Sequence, residues 1–280
     1  MTIGAFKIRW FYDGRHRPME RRDFAAALAA ALAAPAVLGT SPAQAAERPE
    51  AGAGAGAGLT EHMRAVLARE SDDRDTARAL APHLYDVGFV WHPETAELDR
   101  LDFIVAYSFG NRLATSGDPA KTLPEPGPVN EELADTIARL RKQRKVPVYA
   151  QWEIARFLQS KYRMDDVTSI EPVIAQDGTI TYLSTDGVAQ QVLQYRKKAP
   201  GGIGTACVVG FRDHHKRCVQ TTRDRGMTAY APRGFAMPYT YDPQSGQAWT
   251  RRRDLYLVHD MSAQWQVVRA KLIAQAYSNS

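Results

Sequence analysis

Three short apolar runs constrain this chain more than any other feature. They are Phe103-Ile104-Val105-Ala106, Val146-Pro147-Val148-Tyr149-Ala150 and Ala206-Cys207-Val208-Val209. Each is too short for a helix of ordinary length, and each is bounded by polar or glycine-bearing residues, as buried strands are. Helical spacings fall between them: Leu133, Ile137 and Leu140; Ile154, Phe157 and Leu158; Val188, Val192 and Tyr195. Strands alternating with helices of roughly 10–15 residues predict an α/β fold, with a mostly parallel sheet flanked by helices in a Rossmann-like three-layer arrangement. Pro147 argues against a fully laddered place for its strand, because proline donates no hydrogen bond.

Local signals set the expected boundaries. Asn130 is a good N-cap for the helix that carries Leu133, and Ser184 or Thr185 for the one that carries Val188. Asp213 is placed to cap a helix running to about Arg225, where Gly226 stops it. Asp177-Gly178 reads as a turn, and the stretch from Met227 to Ala231 as a last short strand. Leu257, Met261, Trp265, Val268 and Leu272 predict the buried face of a C-terminal helix.

The first 45 residues read differently. A basic start, Met19-Glu20-Arg21-Arg22-Asp23-Phe24, precedes an Ala/Leu run from Ala25 to Leu38 and then Ala43-Gln44-Ala45, a small-x-small cleavage pattern. Residues 1–45 are therefore expected to be a signal peptide, with 1–18 an extension upstream of a start at Met19. The pair Arg21-Arg22 resembles a twin-arginine export signal. The apolar run is short for a spanning helix, so membrane association is expected only if the segment stays uncleaved. Residues 46–59, rich in Ala, Gly and Pro, read as a tether, and a single α/β domain is expected over 60–280 from a helix capped by Thr60. The expected location is the periplasm or the exterior.

That segment changes the charge balance. It holds six Lys or Arg and three Asp or Glu, so the whole-chain net charge of +5 falls to +2 once it is removed. A body so nearly neutral gives no argument for nucleic-acid binding. Two cysteines, Cys207 and Cys218, are either a bridge or two buried thiols.

In an open α/β sheet, ligands bind beyond the carboxyl ends of the strands. Three loops should meet there. In Tyr107 to Arg112, Ser108, Gly110, Asn111 and Arg112 are candidate ligand contacts. Ser184-Thr185 opens a helix and offers two hydroxyls. In the third loop, Asp213, His214 and Arg217 point to an anion site, because free N–H groups at a helix start and a guanidinium fork both suit negative groups. His214-His215 lacks a clear third ligand, and no metal is expected. Glu153, just past the second strand, is the candidate general base, alongside His214. Ala106-Tyr107-Ser108-Phe109-Gly110 is also a loose nucleophile elbow, with Ser108 as nucleophile, Asp213 or Asp254 as acid and His259 as base. No fingerprint names a cofactor, which stays unknown.

The run from Ala206 to Cys218, with His214 and Arg217 in a strand-then-His-x-x-Arg helix start, resembles the SanA/YdcF/ElyC-like family of bacterial envelope-associated α/β proteins. Ser184-Thr185 before a helix, the strand and loop from Phe103 to Arg112, and the closing Trp249 and Trp265 are similar in order. The likeness would cover roughly Leu101 to Ala276. Departures from the family pattern are Tyr107-Ser108-Phe109-Gly110-Asn111 in place of a Gly-rich loop, Gln151-Trp152-Glu153 after the second strand, and Gly187 where an Asn is expected. The resemblance implies an envelope location more than a reaction. Together these readings predict an extracytoplasmic protein, an enzyme acting on a small anionic, phosphate-like, nucleotide-like or envelope-precursor substrate. The alternatives are a non-catalytic anion-binding module and a hydrolase using Ser108.

Overall fold

The computed structural model describes residues 53–277; the expected signal segment, its upstream extension and the first part of the tether lie outside them. Two helices open the described chain, α1 (Ala53–Ser71) and α2 (Arg74–Phe89). The second is started by Asp73, whose carboxylate accepts from the backbone N–H of Asp75 and Thr76. Thr60 does not cap α1. The helix begins upstream of it, within the Ala/Gly repeat, and the Thr60 hydroxyl donates back to the Gly56 carbonyl. Alanine's helix preference and the packing of α1 on α2 outweigh the glycines there. Described helical structure therefore already covers Ala53 to Leu59, within the stretch expected to be a tether.

A six-stranded, all-parallel sheet follows: β1 (Thr95–Ala96), β2 (Phe103–Ala106), β3 (Val148–Gln151), β4 (Val167–Ile170), β7 (Thr205–Val209) and β8 (Thr228–Pro232). A separate antiparallel pair, β5 (Val173–Ile174) and β6 (Ile180–Thr181), flanks the Asp177-Gly178 turn. The sheet order is β1-β8-β7-β2-β3-β4. Pro147 does not weaken β3, which lies inside the sheet between β2 and β4; the proline sits just before the strand, where its carbonyl accepts from Ile104 N–H.

The flanking helices are α3 (Pro128–Gln143), α4 (Trp152–Tyr162), α5 (Thr185–Lys197), α6 (His215–Asp224) and α7 (Arg253–Ala276). Side chains alternate across the strands and feed two cores. Ile104, Ala106, Cys207 and Val209 pack with Leu133, Ile137 and Leu140 of α3 and Ile154 and Leu158 of α4. Phe103, Val105, Ala206 and Val208 pack with Val188 and Val192 of α5 and Cys218 and Val219 of α6. This is the three-layer architecture that the apolar runs predict. Each fully buried side chain of this size contributes roughly 1.5–3 kcal/mol.

Cys207 and Cys218 belong to opposite cores and are both free and buried. The sheet stands between them, which decides against a bridge. Unfolding without reductant should therefore expose two thiols to iodoacetamide, and one mass measurement of the alkylated chain checks this.

Two helix ends differ from expectation. Asn130 does not cap α3: Gly127 holds the turn at φ 76° and Pro128 takes the first helical position. The amide of Asn130 is freed for another purpose, described below. On α7 the fully buried residues are Tyr256, Asp260 and Gln264, an i, i+4, i+8 stripe, while the expected set, Leu257, Met261, Trp265, Val268 and Leu272, is half-buried.

Candidate functional site

The chain runs β2 to β3 to β4 in one direction, then returns to place β7 beside β2. The switch point therefore falls between β2 and β7, and the loops leaving both strands diverge there. A cleft of about 220 Å³ opens at this point. Its walls include Ser108, Phe109 and Gly110 after β2, Gln151 at the end of β3, Ser184 and Thr185 at the start of α5, and His214 and Arg217 after β7. All three expected loops contribute.

The first loop is held in place from below and behind. Phe109 stacks on Phe211 with centroids 3.9 Å apart and meets Tyr256 edge-on. Asn130 receives Phe109 N–H at 2.9 Å and donates to the Gly110 carbonyl at 2.8 Å. Gly110 turns the chain at φ 67°, where an added Cβ would lie 2.9 Å from both Ser245 Oγ and Thr250 Oγ1. Gly110→Ala is expected to cost about 1–3 kcal/mol through the left-handed backbone alone. A lower urea midpoint would check it; an unchanged one would show the loop to be freely adjustable.

Asn111 and Arg112 do not reach the cleft. The Asn111 carbonyl accepts from Ser245 Oγ and Gly246 N–H, and Arg112 pairs with Asp242 at 2.9 Å. They latch the β8–α7 connection onto the first loop. That connection brings Gln247, Trp249 and Thr250 to the cleft, and α7 adds Tyr256 and His259. Trp249 stacks on His259 with centroids 5.1 Å apart.

Asp213 also leaves the proposed anion site. It lies in the 3-10 turn Arg212–His214, so α6 begins after it with no side-chain cap. Its carboxylate is taken by Arg212, Arg253 and Tyr241. Burial raises it, but Arg212 and Tyr241 outweigh burial and hold it below the usual carboxylate range. His215 and Lys216 point away as expected, to the Val208 carbonyl and to Asp86.

His214 and Arg217, one helical turn apart, do share the cleft. Arg217 Nε contacts Asp260 Oδ1 at 2.5 Å, Nη1 donates to Thr185 Oγ1 at 3.1 Å, and Nη2 donates to Tyr256 OH at 3.2 Å. A guanidinium has five N–H groups, so one on each terminal nitrogen remains for a ligand. Asp260 is 1% exposed. Burial would raise its carboxyl, but the adjacent His214 and the Arg217 charge hold it well below the ordinary range. The Arg217 charge is thereby balanced within the site. Burial, then the Arg217 charge, push His214 down to about 4. It is neutral at pH 7, as is His259, lowered by burial and then by Arg217.

On the opposite wall Ser108 Oγ donates to Glu153 Oε1 at 3.2 Å, and Ser108 N–H donates to Gln151 Oε1 at 3.2 Å. Glu153 is fully buried beneath Ser108, and burial pushes it up to about 8. It is therefore protonated at neutral pH, an acid rather than the expected base, and it meets the cleft through Ser108. The nucleophile-elbow geometry is missing. Ser108 is not at positive φ, and no helix follows until α3. Its two proposed acids are committed elsewhere, Asp254 to Arg252 and Asp213 to its own network. Of the seven buried polar atoms without a hydrogen bond among the described residues, Tyr182 OH and His214 Nδ1 belong to cleft-lining residues and Glu153 Oε2 lies behind Ser108. Such atoms are uncommon in folded proteins, and the Tyr182 hydroxyl is the one at this cleft with no facing protein group described above.

Among the described residues no group of three or more His, Cys, Asp or Glu is placed to hold a metal ion, and no helix is long and apolar enough to cross a membrane. Fold and cleft define a parallel α/β protein with a polar, nearly charge-neutral site at its switch point. No family model, curated protein or solved structure matches the chain.

Proposed function

We propose that the chain is an exported enzyme that acts on a small substrate carrying an anionic group, bound in the switch-point cleft. One observation carries this reading: Arg217, His214 and Thr185 on one wall face the same cleft as Ser108, which is backed by the fully buried, protonated Glu153. A donor fork for an anion and a proton held near neutral pH are what general acid–base chemistry on an anionic substrate needs. Since Asp260 already balances Arg217, the substrate is held through hydrogen-bond donors more than through net charge. Export is supported by the basic, apolar and small-residue order of residues 19–45. Kinship with the SanA/YdcF/ElyC-like family is part of the same proposal. It rests on Ser184-Thr185 and His214-x-x-Arg217, two segments well apart in sequence that line one cleft.

The test is a panel of chromogenic carboxylate and phosphate esters, with inorganic phosphate as competitor. Saturable turnover inhibited by phosphate is expected. Phosphate binding without turnover would replace the enzyme with an anion-binding module. Neither binding nor turnover would sink both.

A further inference from the structure

The wall carrying Thr185 holds more than ligand contacts. Thr185 is the first residue of α5, just after the N-cap Ser184, whose hydroxyl accepts from Gly187 N–H at 3.1 Å. Thr185 Oγ1 lies 3.4 Å from His214 Nε2, and His214 Nδ1 lies 3.7 Å from Asp260 Oδ1. At 3.7 Å the second contact is electrostatic and not yet a hydrogen bond. His214 is 4% exposed and its Nδ1 has no partner, so Asp260 is the group facing that nitrogen. A carboxylate there favours the tautomer with the proton on Nδ1, which leaves the Nε2 lone pair toward Thr185. Arg217 Nη1 donates into Thr185 Oγ1 at 3.1 Å, which favours negative charge on that oxygen.

From these contacts we infer that Thr185 is the nucleophile of an acyl-transfer reaction in this cleft, with His214 as its base and Asp260 orienting the imidazole. This deepens the enzyme reading and rests on it. The substrate class is a carboxylic ester. A compensated Arg217, with one N–H left on each terminal nitrogen, suits a single negative charge better than a doubly charged phosphate. Thr185 Oγ1 bonds to the ester carbonyl carbon while its proton passes to His214 Nε2. The carbon–oxygen bond to the alcohol then breaks, and the leaving oxygen takes the proton back from Nε2. Water attacks the acyl-threonine, giving one proton to Nε2 and then to Thr185 Oγ1, and the carboxylic acid departs. This is the logic of a hydroxyl–imidazole–carboxylate triad, in which contacts are commonly loose before substrate binds. Its order along the chain is Thr185, His214, Asp260.

The experiment labels the folded full-length chain with a fluorophosphonate, maps the adduct by peptide mass spectrometry, and follows p-nitrophenyl acetate turnover in parallel. The adduct is expected on the peptide containing Thr185 and absent in Thr185→Ala. Turnover should fall at least about 100-fold in Thr185→Ala and stay within about 10-fold in Thr185→Ser, which keeps the hydroxyl. An adduct on Ser108 that survives Thr185→Ala would overturn the assignment while leaving an enzyme. Absence of both adduct and ester turnover, with inorganic phosphate still bound, would overturn acyl transfer; loss of phosphate binding as well would take the parent reading with it.

Discussion

Asp260→Ala is expected to lower the free energy of unfolding by about 3–5 kcal/mol, the usual cost of leaving one member of a buried ion pair alone. The carboxylate is 1% exposed, and one or other of its oxygens meets Arg217 Nε, Tyr256 OH and Gln264 Nε2. Removing it strands a guanidinium whose side chain is only 15% exposed and takes away the acceptor for two neighbouring groups. A control lies on the same helix. Asp254 also pairs with an arginine, Arg252, but both side chains are more than half exposed, and such pairs add little. Asp254→Ala should leave the urea midpoint within error at pH 7, with an unchanged denaturant slope in both variants. Equal effects at the two positions would mean that Asp260 is better solvated than its surroundings indicate.

The same residue shows where the sequence stops being legible. The parallel sheet was readable because Phe103–Ala106 and Ala206–Val209 are apolar without interruption, and only a doubly covered strand tolerates that. β1, β5 and β6 were not readable, since two-residue strands carry no pattern, and β4, Val167-Thr168-Ser169-Ile170, is half polar. Of the cleft-lining residues, Ser108, Gly110, Ser184, Thr185, His214 and Arg217 were legible because strand ends and helix starts are local signals that topology brings together. Asp260, Tyr256, Gln247 and Tyr182 were missed. Hydrophobic periodicity assigns the apolar stripe of α7 to the interior, whereas the buried stripe is Tyr256-Asp260-Gln264, one position away. The four-residue spacing of these polar groups was the available signal, but a polar face is ordinarily the solvent face. Asp213, Asn111 and Arg112 lie off the cleft for the opposite reason: each belongs to the right loop, yet the Asp213 carboxylate and the Arg112 guanidinium pair with Arg253 and Asp242, and the Asn111 backbone carbonyl is held by Ser245, all distant in sequence.

Stability should peak near pH 6.5 and fall on both sides, with the alkaline fall removed by Glu153→Gln. The acid side comes from His214 and His215, both pushed down by burial from 6.5 to about 4. Between those values the unfolded chain binds more protons than the folded one, so stability is lost as pH drops from about 6.5 toward 4. The alkaline side comes from Glu153, raised by burial from 4.5 to about 8. There the folded chain binds the extra proton, so this contribution is complete below pH 4.5 and is lost as pH rises through 8. Where the windows overlap, two histidines outweigh one glutamate, and the net slope turns negative only above about 6.5. Each proton changes stability by about 1.4 kcal/mol per pH unit while it titrates, so Glu153 alone costs about 2 kcal/mol between pH 6.5 and 8.5; the two histidines return about 0.8 kcal/mol over the same interval, leaving an expected net loss of about 1 kcal/mol. Glutamine keeps an oxygen for the Ser108 hydroxyl and cannot ionise, so Glu153→Gln should hold or slightly raise its midpoint over that interval and exceed the wild type at pH 8.5. Cys207 and Cys218, both raised by burial above the unfolded value near 9, begin to lower stability at the top of this interval but do so equally in both proteins, so they leave the comparison unchanged. Urea titrations of both proteins at pH 6.5 and 8.5 decide the matter: parallel losses would show that Glu153 is already ionised in the folded chain, and Ser108 would then rest on a carboxylate instead of a carboxylic acid.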